Sequence, residues 1–567
     1  MGSMKGAVRM RVTLVGIAAR YIHQSLAPWC LKAGLTQYGV KGAFRVLELN
    51  INQPHDRALE ALMDTKPQIA GFSCYIWNIR MVRSLAACLR LLSPETVIVL
   101  GGPEAGSRPG EIFSEIPQTD YVITGPGEYA FAELVKRLAA KEDLSDIPGL
   151  TFRQGGTLHT NPPAALPLPP PSPYTRECLR SVDGRIAYVE TARGCPFSCS
   201  FCLSGEGEDV WCLPLDRARR ELMKAASSGA KTVKLTDRTF NCRRERAYAL
   251  FRYLSGKRRE GMLQDICFHF EVAADLFDEK TLKLLQKAPP GLFQMEAGIQ
   301  SFHEKTLEAC RRKTDLDRLE RNIRALLSAK NIHLHVDLIA GLPYEDLDTF
   351  SGSFNRAYAL GAHMLQLGFL KVLPGSRLHA QREEYGLLHS PEPPYEILQT
   401  RWLSYKDIGL LKRCEVAVDR FYNSGRFLLT LDLVLKSSGL DPFRLFCRLG
   451  GLMAGEPGGL SLDRLAELAY AFLAALSGVD RAALRDAMAL DFLFSESGGR
   501  LPGCLTVADP RLKQALAALR PKYPPGTKLN AVITYAGGEI LHWADYTRCG
   551  PATGRYAGGA TPLSGLL

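Results

Sequence analysis

The sequence predicts an α/β protein in three parts: a doubly wound, Rossmann-like N-terminal domain, a (β/α)6 partial barrel, and a mainly helical C-terminal domain with a terminal hairpin. Three observations carry that prediction. Short apolar runs alternate with helix-like stretches twice, over 10–140 and again over 185–372, which argues for parallel sheets covered by helices. A proline-dense segment, 161–175 (NPPAALPLPPPSPYT), separates the two series and can continue neither a helix nor a central strand. Beyond Ser390-Pro391-Glu392-Pro393-Pro394 the Leu, Ala and Phe positions recur with helical spacing instead. The expected parts are therefore 1–160, a stiff linker over 161–180, 181–390, and 391–567.

In the first series the strands fall at 11–17, 44–49, 69–75, 97–100 and 121–124. Helical patterns lie at 25–38, 58–64 and 79–92, and from the last strand to about 140. Two strand ends carry glycine-rich turns, Gly101-Gly102-Pro103-Glu104 and Gly125-Pro126-Gly127-Glu128. Ligands of such folds bind at the carboxyl ends of the strands, where both turns fall. The second series places strands at 186–190, 232–236, 266–272, 292–298, 333–339 and 364–370, with helices such as 217–226 and 316–328 between them. Chemistry is again expected at the strand C-terminal ends. Residues 395–520 read as helical, broken at Gly439, Gly450-Gly451 and Gly458-Gly459. After a Pro/Gly break at 522–528, segments 529–535 and 539–543 read as a hairpin across Ala536-Gly537-Gly538.

Composition bounds the function. With 567 residues, 46% apolar and 23% charged, the chain has ample material for several cores; disorder, collagen and coiled coil are excluded as overall descriptions. Lys+Arg is 70 against Asp+Glu 59, a formal charge of +11, a mild excess that permits an anionic small molecule, a lipid-like precursor or nucleic acid without demanding any of them. The basic runs Lys257-Arg258-Arg259 and Arg311-Arg312-Lys313 are short helix-end patterns; no dense basic stripe or RNA-binding module appears, so no nucleic-acid partner is expected. No apolar run is long enough for a bilayer, and the first residues lack a secretory pattern, so the expected location is the cytoplasm. Most of the fifteen cysteines, such as Cys74, Cys88, Cys267 and Cys447, sit alone in apolar context and read as reduced core residues.

Three cysteines differ. Glu190-Thr-Ala-Arg-Gly-Cys195-Pro-Phe-Ser-Cys199-Ser-Phe201-Cys202 follows a predicted strand with spacing C-x3-C-x2-C. Three thiolates on one such loop can grip three irons of a [4Fe–4S] cluster and leave the fourth open to a substrate or cofactor. Zinc is the rival ligand, but structural zinc asks for four ligands in paired spacing, and Cys212 has no partner motif. Three unligated core cysteines are the bland reading.

The motif, with aromatic Phe201 before its last cysteine, resembles the radical SAM signature. Downstream segments are similar to other strand ends of that family: Thr236-Asp237-Arg238-Thr239-Phe240-Asn241, Glu296-Ala-Gly298-Ile-Gln300-Ser301, Asp337-Leu-Ile-Ala-Gly341-Leu-Pro343 and Leu370-Lys371-Val-Leu-Pro374-Gly375. The resemblance covers about 185–380. It implies a cluster on Cys195, Cys199 and Cys202 that binds S-adenosylmethionine (SAM) and cleaves it to a 5′-deoxyadenosyl radical. It implies SAM contacts from Phe201, Glu271, Glu296, Gly298, Gln300, Asp337 and Lys371; for each carboxylate, a strand-end salt bridge or cap is the competing reading.

A doubly wound domain ahead of such a barrel resembles the cobalamin-binding radical SAM enzymes, as do Ala19-Arg20-Tyr21-Ile22-His23-Gln24-Ser25-Leu26-Ala27 and the two glycine turns. The resemblance implies cobalamin contacts from His23, Gly101, Gly102, Pro103, Glu104, Gly125, Gly127 and Glu128. The Asp-x-His-x-x-Gly motif that puts a histidine on cobalt in methionine-synthase-like domains is missing after the first strand, so His23 reads first as a loop histidine. The loop Ser73-Cys74-Tyr75-Ile76-Trp77-Asn78 would lie under the lower face of the corrin, with Ser73, Tyr75 and Trp77 as contacts; packing of the two aromatics is the alternative.

The pairing implies a methyltransferase acting on an unactivated carbon, using the [4Fe–4S] cluster, SAM and methylcobalamin, with a small-molecule substrate and an electron donor such as flavodoxin or ferredoxin. Non-methylating chemistry with the same cofactors (rearrangement, ring contraction, oxidation or cyclisation) is one alternative, and a cobalamin-binding sensor with an inactive barrel is another. Residues 395–567 resemble an extra domain of one branch of the family, through Arg420-Phe-Tyr422-Asn423-Ser424-Gly-Arg426-Phe427 and Asp545-Tyr546. Arg420, Tyr422, Asn423, Arg426 and Tyr546 are the candidate substrate contacts.

Overall fold

The computed structural model describes residues 10–163, 169–204, 210–454, 460–498 and 500–565. The Gly458-Gly459 break and residues 164–168 of the proline-rich connector lie outside these. Two compact units form: Met1–Glu271 with Lys371–Ile397, and Val272–Leu370 with Leu398–Leu567.

The first unit opens with strands β1 (Met10–Ala18), β2 (Gly42–Asn50), β3 (Ile69–Ser73), β4 (Val97–Gly101) and β5 (Tyr121–Ile123). They pair in parallel in the order β2-β1-β3-β4-β5. The order reverses between β1 and β3, the position at which doubly wound sheets take ligands. Alternate residues feed two cores. Leu14, Leu35 and Phe131 pack on one face, against helices Leu26–Gln37 and Gly127–Ala140. Val15, Phe72 and Leu85 pack on the other, with helix Ile79–Leu92. The sequence reading missed two antiparallel strands at the sheet's edge, β6 (Leu150–Gln154) and β7 (Thr157–Thr160). All four residues of β7 are exposed, so no apolar alternation marks it.

The same unit continues with β8 (Ile186–Val189), the short antiparallel pair β9 (Ala192–Arg193) and β10 (Trp211–Cys212), then β11 (Thr232–Leu235) and β12 (Cys267–Val272). β8, β11 and β12 are parallel neighbours. The loop after β1 reaches β8: Ile186 N–H donates to the Ile22 carbonyl at 2.9 Å.

The second unit contains parallel strands β13 (Phe293–Gln300), β14 (His333–Ala340) and β15 (Met364–Phe369), with helices Leu316–Ser328 and Leu347–Tyr358 between them. Asp315 and Asp346 cap these two helices by accepting the Arg318 and Thr349 amides. Helices then dominate from Tyr405 to Leu519. The expected break at Gly450-Gly451 is absent: both lie inside helix Pro442–Met453. A Cβ at Gly450 would collide with the Arg413 carbonyl of helix Tyr405–Ala417, so glycine serves close helix packing there, not termination. The terminal hairpin gains a third strand, Tyr556–Pro562, giving an antiparallel sheet with Leu529–Thr534 and Ile540–Cys549. Among the described residues no helix is long and apolar enough to cross a membrane.

Candidate active site

The carboxyl ends of β1, β3, β4, β5, β8, β11 and β12 surround a cavity of about 960 Å³ in the first unit. That is near the upper end for ligand pockets, which run to about 1,000 Å³. Its N-terminal-domain walls include Gly101, Gly102, Pro103, Gly125 and Gly127. Gly102 adopts φ +99°, and a Cβ on it would sit 2.7 Å from the Cys74 carbonyl oxygen, so only glycine passes the chain through this turn. Ser73, Tyr75 and Trp77 line the same space. The two aromatic rings stack at 4.3 Å and 8°, and the Trp77 indole donates to the Ile17 carbonyl at 3.1 Å. Burial pushes the Tyr75 phenol up to about 12, so it stays a neutral hydroxyl.

His23 also lines the cavity, 2.7 Å from the Tyr188 hydroxyl through Nδ1. Burial, helped by Lys234, Arg20 and Arg185, lowers its pKa and favours the neutral imidazole. Glu104 is not among the lining residues. It is buried, and its carboxylate accepts from Arg108 at 2.8 Å and from the Tyr395 hydroxyl. Glu128 does line the cavity, but its carboxylate is held by the Arg193 guanidinium.

The cysteine loop forms another part of the wall through Arg193 and Gly194 on one side of the motif and Leu203 and Ser204 on the other. Its base is fixed by Asp237, 2% exposed at the end of β11. That carboxylate accepts the Thr191 amide at 2.7 Å, the Ala192 amide at 3.0 Å and the Thr191 hydroxyl. Burial lifts its pKa to about 6, against the three hydrogen bonds that favour the charged form. Cys195 Sγ lies 3.5 Å from Thr239 Oγ1, and the Ser204 amide donates to Cys202 Sγ at 3.3 Å. None of the fifteen cysteines is in a disulfide bond. Among the described residues no three His, Cys, Asp or Glu side chains gather closely enough to hold a single metal ion. A cluster asks for something else: each thiolate takes its own iron, so three loop thiols need not meet at one point.

Phe201 is half-buried beside Cys202. Glu271, on β12, lines the cavity 3.8 Å from Lys234 Nζ. Lys371 is exposed, and its backbone bridges Glu396. In the second unit, Glu296 and Gly298 of β13 and Asp337 of β14 share the half-buried face of that strand pair, with Gly298 directly opposite Asp337. A bulge follows Gly298, and Gln300 takes φ +74°, folding its amide over Gly298. Just beyond, Ser301 donates at 2.6 Å to Glu345, a buried carboxyl that also accepts from Ser353 at 3.0 Å. Burial raises Glu345 to about 7.

The candidate substrate residues do not form one group. Arg420 is exposed. Tyr422 is buried, with its hydroxyl on the Ala362 carbonyl, and Asn423 brackets Leu365 of β15 by accepting its amide (2.9 Å) and donating to its carbonyl (3.0 Å). Arg426 pairs with Glu496, and Tyr546 packs edge-on against Tyr556 at 4.8 Å. Sequence reasoning assigned no role to Arg193, Asp237 or Glu345. An acid closing an apolar strand was a usable signal for Asp237; nothing local marked the other two.

A fold of this kind, with strand-end glycines and a cysteine loop on one cavity, defines a protein built to hold large cofactors. Family models place it. A B12 binding domain matches residues 12–135, the Radical SAM superfamily matches 189–357, and a protein family of unknown function (DUF4080) matches 383–524. The chain carries a B12-binding domain followed by a radical SAM domain, and it is a relative of the cobalamin-dependent radical SAM enzymes. It is 30% identical over 354 residues to the cobalamin-dependent radical SAM methyltransferase TokK of Streptomyces tokunonensis, covering 58% of this chain and 51% of TokK. It is 28% identical over 352 residues to the 2-(S-pantetheinyl)-carbapenam-3-carboxylate methyltransferase of Streptantibioticus cattleyicolor, again 58% and 51%. The chain thus spans about half the length of these curated relatives. The solved structure of OxsB, a cobalamin-dependent S-adenosylmethionine radical enzyme with aqua-cobalamin and S-adenosylmethionine bound, shares the fold at TM-score 0.60 and 15% identity, over 85% of this chain and 78% of that one.

Proposed function

We propose that this chain is a cobalamin-dependent radical SAM enzyme that methylates an unactivated carbon of a small molecule. The observation that carries the reading is one cavity lined both by the strand-end glycines of the B12-binding domain and by the residues flanking Cys195, Cys199 and Cys202. That the two relatives at 28–30% identity are methyltransferases supports methyl transfer over the other chemistries of this cofactor pair.

When bound, the cluster and SAM supply the 5′-deoxyadenosyl radical, and cobalamin supplies the methyl group. The three cysteines would hold the cluster. The turns at Gly101–Pro103 and Gly125–Gly127, with the Tyr75–Trp77 stack, would hold cobalamin. In the first unit, Glu271 would supply oxygens to the cationic groups of SAM, with Phe201 and Lys371 as further contacts; in the second unit, Glu296, Gly298, Gln300 and Asp337 are the remaining candidates. The protein's own work is to orient and to exclude water. Neutral His23 and Tyr75 offer hydrogen bonds without adding charge, and apolar Ile17, Leu100 and Leu203 keep part of the wall dry. A flavodoxin- or ferredoxin-like protein would deliver electrons, and cysteines without disulfide bonds suit a reducing compartment, the cytoplasm. Residues 391–567 would set substrate choice, with Arg420 the exposed candidate of the five.

The test is an anaerobic assay of reconstituted protein with SAM, methylcobalamin and a strong reductant. We expect 5′-deoxyadenosine and S-adenosylhomocysteine from the wild type and neither from Cys195→Ala/Cys199→Ala/Cys202→Ala. Deoxyadenosine without S-adenosylhomocysteine would shift the reading to rearrangement, oxidation or cyclisation. Neither product, with both cofactors bound, would favour a sensor.

A further inference from the structure

We propose that Arg193 is a positioning residue that couples occupancy of the B12-binding wall of the cavity to the arrangement of the cysteine loop. The inference rests on the cofactor reading above and extends it to communication between the two sites.

Arg193 is the last residue of β9, two positions before Cys195. Its guanidinium is forked between two carboxylates. Toward its own loop, Nε donates to Glu190 Oε2 at 2.8 Å, and Nη2 lies 2.7 Å from the same oxygen. Toward the B12-binding domain, Nη1 donates to Glu128 Oε2 at 3.2 Å, and Nη2 contacts Glu128 Oε1. Side-chain exposure is 16% for Arg193, 8% for Glu128 and 28% for Glu190, and all three residues line the cavity. A two-point ion pair this buried fixes orientation as well as distance, and separating its members leaves charge in a poorly solvated wall. Glu128 stands in the first turn of helix Gly127–Ala140, directly after the Gly125-Pro126-Gly127 turn on the same wall. An occupant that settles against that turn therefore sets Glu128, and Glu128 sets Arg193.

The loop has few other places to yield. Asp237 clamps Thr191 and Ala192 from below. Beyond Arg193 comes Gly194, at φ +89°, and then the first thiol. A displacement of the guanidinium is thus passed to the segment carrying the cysteines and not absorbed at its base. The two arms differ in consequence. The Glu190 arm lies within one short stretch of chain, whereas the Glu128 arm joins segments 65 residues apart. Only the second can carry coupling between the two cofactor sites.

Coupling between two ligands is reciprocal, which gives two independent readouts of one number. Hydroxocobalamin is titrated spectrophotometrically into the full chain, cluster-free and anaerobically cluster-reconstituted, and the ratio of the two Kd values is taken. Separately, loss of the cluster to an iron chelator is followed with and without saturating hydroxocobalamin. We expect a Kd ratio of at least about fivefold in the wild type, in the range of ordinary coupling energies. Cobalamin should protect the cluster in the same direction. In Glu128→Gln the ratio should fall to near one and the protection should vanish, whatever happens to either Kd alone. In Glu190→Gln, which keeps the arm across the cavity, the ratio should persist. A residue that merely stabilised the fold would weaken both Kd values together and leave the ratio unchanged. A wild-type ratio of one, or a ratio that survives Glu128→Gln, overturns the inference while the cofactor assignment stands. Failure of the wild type to bind cobalamin or cluster overturns the assignment, and the inference with it.

Discussion

Replacing Asp237 by alanine or by asparagine separates the two effects of its carboxylate. Alanine leaves the Thr191 and Ala192 amides without their acceptor, at about 2–4 kcal/mol for the pair of partly and fully buried groups. Asparagine keeps one oxygen that accepts both amides, since both reach Asp237 Oδ1, and its NH2 can donate to the Thr191 hydroxyl. Asparagine also removes a charge. Burial raises the folded Asp237 to about 6, against 3.8 for an ordinary aspartate. A raised acid binds its proton more tightly when folded, so its contribution to stability is intact below about pH 4 and is lost as pH rises through about 6. The full loss is about 3 kcal/mol, and roughly 1.5 kcal/mol of it falls between pH 5 and pH 7.5. Urea unfolding of the cluster-free chain at those two pH values is the assay. Asp237→Asn should gain about 1.5 kcal/mol on the wild type as pH rises from 5 to 7.5, while Asp237→Ala should be the least stable at pH 5 and lose iron loading. Equal losses for the two variants, or a wild-type-to-Asn difference indifferent to pH, would mean that the Asp237 carboxylate neither holds the loop base nor carries a raised pKa.

Other outcomes follow from the second unit. Glu345, raised by burial to about 7 from 4.5, stabilises the fold below about pH 4.5 and loses about 3 kcal/mol of that as pH rises past 7. Glu345→Gln, which still accepts from Ser301 and Ser353, should flatten this part of the stability profile in the same urea titrations; an unchanged slope would place the raised group elsewhere. Gly450→Ala must push helix Pro442–Met453 away from the Arg413 carbonyl, for a loss of about 1–3 kcal/mol and a lower Tm by calorimetry. Wild-type Tm would mean that the two helices do not pack at Gly450. Arg555→Met leaves Asp491, 0% exposed, with hydrogen bonds from Leu429 and Thr430 but without its cation at 3.1 Å. Breaking a buried pair this way costs about 3–5 kcal/mol, so the variant should unfold at clearly lower urea.

Much of the architecture is legible in the sequence because buried parallel strands leave unmistakable apolar runs. Apolar runs bound Val97–Gly101 and Phe293–Gln300 to within a residue or two for that reason. What failed was a local rule overridden by packing, or a segment with no pattern to read. Gly450-Gly451 resembles a helix end in one dimension and is a helix contact in three. β7 is exposed along its length. The site divides the same way. The cysteine spacing is a short-range signal and stands in the sequence. That Glu104 turns to Tyr395, that Glu128 turns to Arg193, and that Asn423 brackets the backbone of β15 are pairings across long stretches of chain. Only the fold brings those partners together.

In the proposed function, one chain holds the [4Fe–4S] cluster and cobalamin at separate places on one cavity. The most direct measurement is the iron, sulfide and cobalamin content of the anaerobically reconstituted full chain, beside Cys195→Ala/Cys199→Ala/Cys202→Ala. About four iron, four sulfide and one cobalamin are expected per wild-type chain, with a variant that loses the iron and sulfide but keeps its cobalamin. Iron retained without the three thiols, or a wild type that takes up no cobalamin, would contradict the proposed function.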